Sequence, residues 1–330
     1  MSIIAVQGLR KVFTLQRKPE GGWARLMATF RPQVIQQEAV RGIDLAVERG
    51  EAVAFIGPNG AGKSTTIKML TGILHPTAGQ ASVLGFTPWI QRQMLAFQIG
   101  SVFGQKSQLW LHLPPVDTFN LLARIYELDW ADYLKRRSEL VGLFDLDEIM
   151  HTPARKLSLG QRMRCEIAAS LLHRPQIIFL DEPTIGLDPL AKAAIRDLIR
   201  RANKDEGVTV FLTSHDAGDV EQLCKRVVII NHGQLILDDT VNALRRNFMK
   251  SREIDLKLGV PFTGDPGIPG VAVVKSKGYG VKLSVDTAVT PIEAVVSGLL
   301  QTYPVQDITI QNPPMEEIIA AIYRGRGEGI

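Results

Sequence analysis

The chain has 330 residues, a length that predicts one large domain and a smaller one, and its net charge of +4 makes it only mildly basic. No apolar run approaches the roughly 18 to 20 residues of a membrane-spanning helix, and residues 1–4 lack the features of a signal peptide, so we expect a cytosolic chain. Cys165 and Cys224 lie far apart without metal-ligand partners at a useful spacing, which favours reduced thiols over a disulfide or a zinc site.

The chain opens with two predicted strands, at residues 3–13 and 43–47, and an additional segment at about 14–36 separates them. Apolar residues in this segment recur at the i, i+3, i+4 and i+7 spacing of one helical face. The pattern predicts a short amphipathic helix, either a flap over the first sheet or a docking element for a membrane partner or lipid headgroups. The residues of the apolar face are Trp23, Leu26, Met27 and Phe30.

A glycine-rich loop follows the apolar run 53–56 and leads into a predicted helix. The spacing from Gly57 to Ser64 fits the phosphate-binding loop, whose glycines let backbone N–H groups turn inward around an anion at a helix N-terminus. We expect Lys63 to reach the β- and γ-phosphates and Ser64 to offer its hydroxyl to Mg²⁺. The predicted nucleotide site comprises Gly57, Pro58, Asn59, Gly60, Ala61, Gly62, Lys63, Ser64 and Thr65.

A helical region follows the next predicted strand, which spans residues 99–105 and ends at Gln105. From about 106 to 160 the apolar residues keep a helical period, and this predicts an inserted helical lobe. Residues 157–161 then open a long predicted helix, 162–172.

Two adjacent carboxylates, Asp181 and Glu182, follow the apolar run 177–180, which is typical of a strand buried on both faces. Side chains at the C-terminal ends of parallel strands face the ligand crevice of such sheets. Asp181 can therefore hold Mg²⁺ through water, and Glu182 can polarise the water that attacks a γ-phosphate. His215 follows the predicted strand 208–212 in the same way, which favours a γ-phosphate contact.

Beyond about residue 240 the pattern changes to short half-buried strands and amphipathic helices. These predict a small α+β unit over 241–330 that carries no catalytic constellation, and the simplest interpretation is a stabilising or dimerising appendage. The predicted elements are strands at 254–258, 281–285 and 308–310 and helices at 292–300 and 315–323.

With these motifs placed, the first 240 residues resemble the nucleotide-binding subunit of an ABC transporter. The resemblance rests on the order of the motifs as much as on their residues. They are the phosphate loop at 57–65, the glutamine loop at Gln105, the signature motif at 157–161, the metal-and-base strand at 177–182, the dimer-crossing loop at 186–188 and the switch histidine His215.

Two positions refine the resemblance. Phe13 falls where the family stacks an aromatic ring on adenine, and Leu159 departs from the second glycine that the signature motif usually has. The segment near Trp23, the run 103–110 and the C-terminal unit resemble a bacterial branch whose membrane subunits are type-two exporters, including drug-efflux systems.

The resemblance implies an α/β fold class: a P-loop NTPase core of the ABC type, with a mixed sheet and an inserted helical lobe over 1–240, and a small C-terminal α+β domain over 241–330. It implies ATP and Mg²⁺ as cofactors, with Glu182, His215 and Gln105 in catalysis. The implied Mg²⁺ ligands are Ser64, Gln105 and Asp181, and the implied further nucleotide contacts are Phe13, Ser158, Gly160, Gln161 and Asp188.

The resemblance also implies partners. One is a second copy of the chain or a homologous ATPase chain, because Ser158 and Lys63 would bind the same γ-phosphate from two chains. The others are separate transmembrane permease subunits, which place the chain peripherally at the cytoplasmic face of the plasma membrane; no nucleic acid is expected. The alternative function is a soluble ABC ATPase that acts on ribosomes or DNA.

Overall fold

The structure, a computed structural model, describes residues 2–16, 34–104, 107–248, 251–262, 264–312 and 315–325. Gln105 and the apolar face expected from Trp23 to Phe30 lie outside the described residues. The chain divides into two compact units, Met1–Asp239 and Thr240–Ile330, one residue from the boundary expected from the sequence. In the part that the structure describes, no helix combines the length and the apolarity needed to cross a membrane.

The strands of the first unit form two sheets. In chain order these strands are β1 (Ser2–Gln16), β2 (Val34–Glu48), β3 (Ala52–Ile56), β4 (Ala78–Val83), β5 (Ile99–Phe103), β6 (Ile177–Asp181), β7 (Thr209–Thr213), β8 (Arg226–Asn231) and β9 (Gln234–Thr240). A three-stranded antiparallel sheet has the order β2-β1-β4, and a six-stranded sheet has the order β5-β6-β7-β3-β8-β9.

The first two strands are longer than the sequence predicts. Their pairing continues through Thr14 with Gln36, so the ends of the segment expected at about 14–36 belong to strands and not to a helix. The reason is that an antiparallel pairing gains two backbone hydrogen bonds with every second residue pair that is added, a contribution that the helical spacing of apolar residues does not reveal.

The helices of the first unit include those of the expected helical lobe. The helix expected to start at Arg162 begins three residues earlier, because Ser158 caps it. In chain order they are α1 (Lys63–Leu70), α2 (Arg92–Ala96), α3 (Pro115–Ile125), α4 (Trp130–Leu143), α5 (Leu159–Ser170), α6 (Pro189–Glu206) and α7 (Ala217–Leu223).

The core of the six-stranded sheet positions the site. Its central strands β3, β6, β7 and β8 run parallel, and most of their residues are buried and aliphatic or aromatic. Phe211 lies between Phe55 and Phe179, with ring centroids 5.4 and 5.7 Å away. Because the strands are parallel, their C-terminal ends meet at one edge, where the phosphate loop follows β3, Asp181 ends β6 and Thr213 ends β7.

The second unit contains four strands and three helices in its described part. They are α8 (Val241–Phe248), β10 (Ser251–Leu258), β11 (Val271–Lys277), β12 (Gly280–Asp286), α9 (Ile292–Thr302), β13 (Val305–Gln311) and α10 (Met315–Gly325). The strands form an antiparallel sheet with the order β11-β12-β10-β13, and Val295 and Leu299 of α9 pack on its apolar face. The sequence did not predict β11 or α8.

Candidate active site

The phosphate loop joins β3 to α1, and two of its glycines are required by close packing. Gly62 caps α1 at φ +110°, and a Cβ there would lie 2.5 Å from the carbonyl oxygen of Ala39. A Cβ on Gly57 would lie 2.2 Å from the carbonyl oxygen of Ile230. Neither position accepts a side chain, so the loop backbone can lie close to its neighbours, and the loop leads into the N-terminus of α1, where N–H groups suit an anion.

Lys63 is buried in the loop and is held by oxygen atoms. Its Nζ donates to the carbonyl oxygens of Gly57 at 2.6 Å and Pro58 at 3.3 Å, and it lies 3.8 Å from Oε1 of Glu182. Burial lowers the pKa of Lys63, and the carboxylates of Glu182 and Asp181 oppose that shift. The contacts place a cation where a β- or γ-phosphate would meet the loop.

Asp181, at the end of β6, connects the loop to the next strand. Its Oδ1 accepts hydrogen bonds from the hydroxyls of Ser64 at 3.2 Å and Thr213 at 2.6 Å. A hydroxyl and a carboxylate side by side are the oxygen donors that Mg²⁺ prefers, so Ser64 and Asp181 fit a magnesium site beside the phosphate loop. The position of Gln105, the third predicted ligand, lies outside the described residues.

Glu182 is buried and has a left-handed backbone conformation with φ +57°, uncommon for a residue with a side chain. Its backbone N–H donates to the carbonyl oxygen of Thr213, and its Oε2 accepts from the backbone N–H of His215 at 3.2 Å. Oε1 lies 3.0 Å from Nε2 of His215. This backbone conformation turns the carboxylate towards the loop instead of continuing the strand.

Burial shifts the pKa values of Glu182 and His215 in opposite directions. It raises the pKa of Glu182, with Lys63 opposing and Asp181 reinforcing the shift. It lowers the pKa of His215, and the nearby Lys63 cation lowers it further. The arrangement therefore favours a neutral imidazole and a carboxylate with increased proton affinity, as expected of a group that orients or polarises water.

A cavity of about 360 Å³ connects these groups with Phe13. Phe13 lies opposite Gln37 in the β1–β2 pairing, and Lys11 Nζ lies 5.3 Å from the centre of its ring. An aromatic ring at one end and phosphate-binding groups at the other suit a nucleotide with its base on Phe13. The lining residues are Phe13, Gln37, Ala39, residues 58–65, Glu182, Ile185 and His215.

The signature residues lie in a different cavity, of about 300 Å³. Ser158 caps α5: its Oγ accepts from the backbone N–H of Gln161 at 3.2 Å, and its own N–H donates to Oε1 of Gln161 at 2.9 Å. A Cβ on Gly160 would lie 3.0 Å from the Cβ of Ala191 on α6, so glycine allows the two helices to approach. Leu159 is 43% exposed and lines this cavity, so its side chain does not disturb the cap.

Asp188 belongs to the second cavity as well. Its Oδ1 caps α6 by accepting from the backbone N–H groups of Leu190 at 3.0 Å and Ala191 at 2.9 Å. The cavity around Lys63 and the cavity around Ser158 and Asp188 share no lining residue. The predicted site residues therefore fall into two groups within one chain.

Sequence reasoning missed two parts of the site. Thr213 donates to Asp181 and accepts from Glu182, and its place at the end of a buried strand was the available signal. Asp219 lies behind the site with no exposed surface and binds Thr184, Ser214 and Arg196. No local pattern marks Asp219, because its partners come from three separate elements.

Comparison with known proteins identifies relatives of this chain. The family described as "ABC transporter" matches residues 40–185. The chain is 37% identical over 207 residues to the daunorubicin/doxorubicin resistance ATP-binding protein DrrA of Streptomyces peucetius, an alignment that covers 63% of this chain and 62% of that protein. It is 35% identical over 245 residues to a fluoroquinolones export ATP-binding protein of Mycobacterium tuberculosis, covering 72% of this chain and 76% of that protein.

Among solved structures, the fold is similar to one described as the ATP binding subunit of an ABC transporter. The TM-score is 0.61 at 28% sequence identity, and the match covers 75% of this chain and 93% of that chain. Sequence and fold therefore point to the same family.

Proposed function

The chain belongs to the ABC transporter family as an ATP-binding and ATP-hydrolysing subunit that powers a separate permease, and we propose that the transport it drives is export. Two of its relatives are a daunorubicin/doxorubicin resistance ATP-binding protein and a fluoroquinolones export ATP-binding protein. By analogy, the proposed cargo is a drug-like small molecule that leaves the cell. We also propose that the chain lies at the cytoplasmic face of the plasma membrane, held there through its permease, as membership of this family favours.

The observation that carries the catalytic assignment is the convergence of Lys63, Glu182 and His215 at the end of three parallel strands. Lys63 and the N–H groups of the loop hold the β- and γ-phosphates, and Phe13 stacks on adenine. Glu182 orients and polarises the attacking water, while the neutral imidazole of His215 contacts the γ-phosphate and the backbone N–H of His215 holds the Glu182 carboxylate.

Ser64 and Asp181 are the described residues that would hold Mg²⁺, and Gln105 is assigned to it by resemblance. A bound Mg²⁺ would neutralise negative charge on the phosphates of the nucleotide. The protein contributes the hydroxyl of Ser64 and the carboxylate of Asp181, which Thr213 keeps oriented through its 2.6 Å hydrogen bond.

The two separate cavities support a composite site. Ser158, Gly160, Gln161 and Asp188 lie away from the phosphate loop of their own chain. We assign them to the ATP of a second chain, either a copy of this one or a homologous ATPase chain, in a head-to-tail pair. Each ATP would then lie between Lys63 of one chain and the capped start of α5 in the other.

The test of transport is affinity capture from detergent extracts, with the tagged Glu182→Gln chain saturated with ATP as bait. Export predicts that a protein with several membrane spans co-purifies and that loss of either chain raises cellular accumulation of its substrate. Recovery of ribosomal proteins or DNA without a membrane protein would instead support the alternative, a soluble ATPase. The Lys63→Ala chain is the control for nucleotide-dependent capture.

A further inference from the structure

Asp219, near the start of α7, is a buried carboxylate that contacts none of the predicted nucleotide groups. None of its surface is exposed, and both oxygens accept hydrogen bonds. Oδ2 accepts from the hydroxyls of Thr184 and Ser214, each at 2.5 Å, and Oδ1 accepts from Nε of Arg196 at 2.6 Å. A buried charge is costly unless it is paired and fully hydrogen-bonded, and Asp219 meets both conditions.

The two hydroxyl groups belong to the segments that carry the reacting groups. Thr184 follows Glu182 by two residues, in the loop that leads to Asp188. Ser214 directly precedes His215, and its Oγ also accepts from the backbone N–H of Asp216 at 2.9 Å. One carboxylate oxygen therefore joins the segment after β6 to the segment after β7.

Arg196 anchors this junction to α6. Its Nη2 donates to Oδ1 of Asp216 at 2.9 Å, and Lys192, one turn earlier, donates to Oδ2 of the same carboxylate at 2.5 Å. A Cβ on Gly218 would lie 2.9 Å from Nη2 of Arg196, so glycine leaves room for the guanidinium. The junction is thus continuous with the helix that Asp188 caps.

We propose that Asp219 is a positioning residue, which holds Glu182 and His215 in their relative placement by joining Thr184, Ser214 and α6. This inference rests on the roles proposed above for Glu182 and His215. Glu182 has an unfavourable left-handed backbone, and such a conformation persists only where several contacts determine it. The hydrogen bonds of Thr184 and Ser214 to one buried carboxylate supply such contacts on both sides of the pair.

The proposal separates turnover from nucleotide binding. Lys63 and the loop N–H groups make no hydrogen bond to Asp219, so ATP affinity should survive loss of the junction. Small displacements of reacting groups reduce turnover by about 10- to 100-fold. We therefore expect kcat to fall while the dissociation constant of ATP changes little.

The test uses matched substitutions of Thr184 in the full chain. Thr184→Val removes the hydroxyl at nearly constant volume and should lower kcat by about tenfold or more, and Thr184→Ser restores the hydroxyl and should recover most of that loss. The control is Thr118→Val, because Thr118 is fully buried and its hydroxyl has no hydrogen-bond partner in the described part of the chain. Each variant is measured for kcat, ATP affinity and melting temperature.

A structural role alone predicts that Thr184→Val lowers the melting temperature while kcat of the folded protein stays within about twofold of the parent, and that result overturns the proposal. Equal impairment of Thr184→Ser and Thr184→Val, or a parallel loss of ATP affinity, also overturns it. Ser214→Ala tests the other hydroxyl and replaces Thr184→Val if that chain does not fold. Because Glu182→Gln is assayed alongside, normal turnover of that variant would identify failure of the catalytic assignment itself.

A double-mutant cycle tests whether the hydroxyl acts through the carboxylate. If Thr184 acts only through Asp219, Thr184→Val should reduce kcat much less in an Asp219→Ala background, which has no acceptor for the hydroxyl, than in the parent. Full additivity of the two losses would show that they act independently and would contradict the proposal.

Discussion

Nε2 of His215 lies 3.0 Å from Oε1 of Glu182, while the backbone N–H of His215 donates to the other carboxylate oxygen at 3.2 Å. One residue therefore approaches both oxygens of a carboxylate 33 positions earlier in the chain, and its backbone N–H makes the hydrogen bond. The two segments meet because β6 and β7 are parallel neighbours with Asp181 paired to Thr213. Glu182 and His215 thus form one unit of the site. A change that disrupts this unit should reduce turnover more than it reduces the affinity for ATP.

The first prediction concerns Glu182. Glu182→Gln keeps the shape of the side chain but removes the charge that polarises water, so we expect ATP binding near the parent level and a loss of turnover of about 100-fold or more. Phosphate release and nucleotide titration measure the two quantities. Near-normal turnover, or loss of ATP binding, would contradict the assigned role.

The matched control is Glu253→Gln. Glu253 is also buried and ion-paired, with Lys282 Nζ at 2.8 Å, but it belongs to the second unit. Its substitution should lower stability while leaving turnover of the folded protein close to that of the parent. A similar loss of turnover in both variants would mean that the effect of Glu182→Gln is not specific to the site.

The second prediction concerns Mg²⁺. Asp181→Asn weakens the oxygen donor beside Ser64, so the variant should lose most of the gain in ATP affinity that Mg²⁺ gives the parent, with an expected loss of metal affinity of about 10- to 100-fold. ATP titrations with Mg²⁺ and with EDTA measure that gain. An unchanged gain in the variant would remove Asp181 from the magnesium site.

Much of this site follows from sequence, because its motifs have fixed local geometry. The loop 57–65 can be recognised from its glycines and the helix that begins after it. The carboxylates after 177–180 can be recognised from the apolar run of a buried parallel strand. The sequence could not place Ser158 relative to Lys63, since that distance depends on how the helical lobe packs. It also gave no sign of Asp219, whose partners come from separate elements, or of β11, whose residues are mostly exposed.

The third prediction concerns pH and stability. Burial lowers the pKa of His173 to about 4, its Nε2 lies 3.0 Å from the carbonyl oxygen of Ile99, and its ring stacks on Tyr126 with centroids 3.9 Å apart. The imidazole is neutral in the folded chain, while the unfolded chain binds a proton below about pH 6.5. The neutral imidazole therefore contributes fully to the free energy of unfolding above that pH. As the pH falls towards 4 this contribution is lost, and the free energy of unfolding decreases by on the order of 2–3 kcal/mol.

His173→Phe keeps an aromatic ring that can stack but cannot take up a proton. We expect the variant to be less stable than the parent by about 1 kcal/mol at pH 7.5, because the hydrogen bond to Ile99 is lost. The difference should narrow and then reverse as the pH falls below 6. Urea unfolding at a series of pH values measures this, and parallel pH profiles for the two proteins would exclude His173 as the source.

The fourth prediction concerns the second unit. Residues of both cavities around the nucleotide groups come from the first unit, so a chain that ends at Asp239 should still bind ATP. Nucleotide titration of the truncated chain, with circular dichroism to establish folding, tests the boundary. A folded chain that does not bind ATP would contradict it.

The proposed composite site makes a prediction that no single-chain site shares. Lys63→Ala damages the phosphate loop, and Ser158→Arg blocks the capped start of α5, so each variant alone should fail to trap ATP. In a mixed head-to-tail pair, one site contains both changes and the other contains neither. Mixing should therefore restore one intact site per pair.

The measurement is ATP-dependent dimerisation and ATP trapping, by light scattering and by retained nucleotide, in a Glu182→Gln background that prevents turnover. The composite site predicts that neither variant alone traps ATP. In an equal mixture, up to about half of the sites in each mixed pair should trap ATP, because each site is shared between two chains. No recovery, with mixed pairs demonstrated by crosslinking, would contradict the composite site.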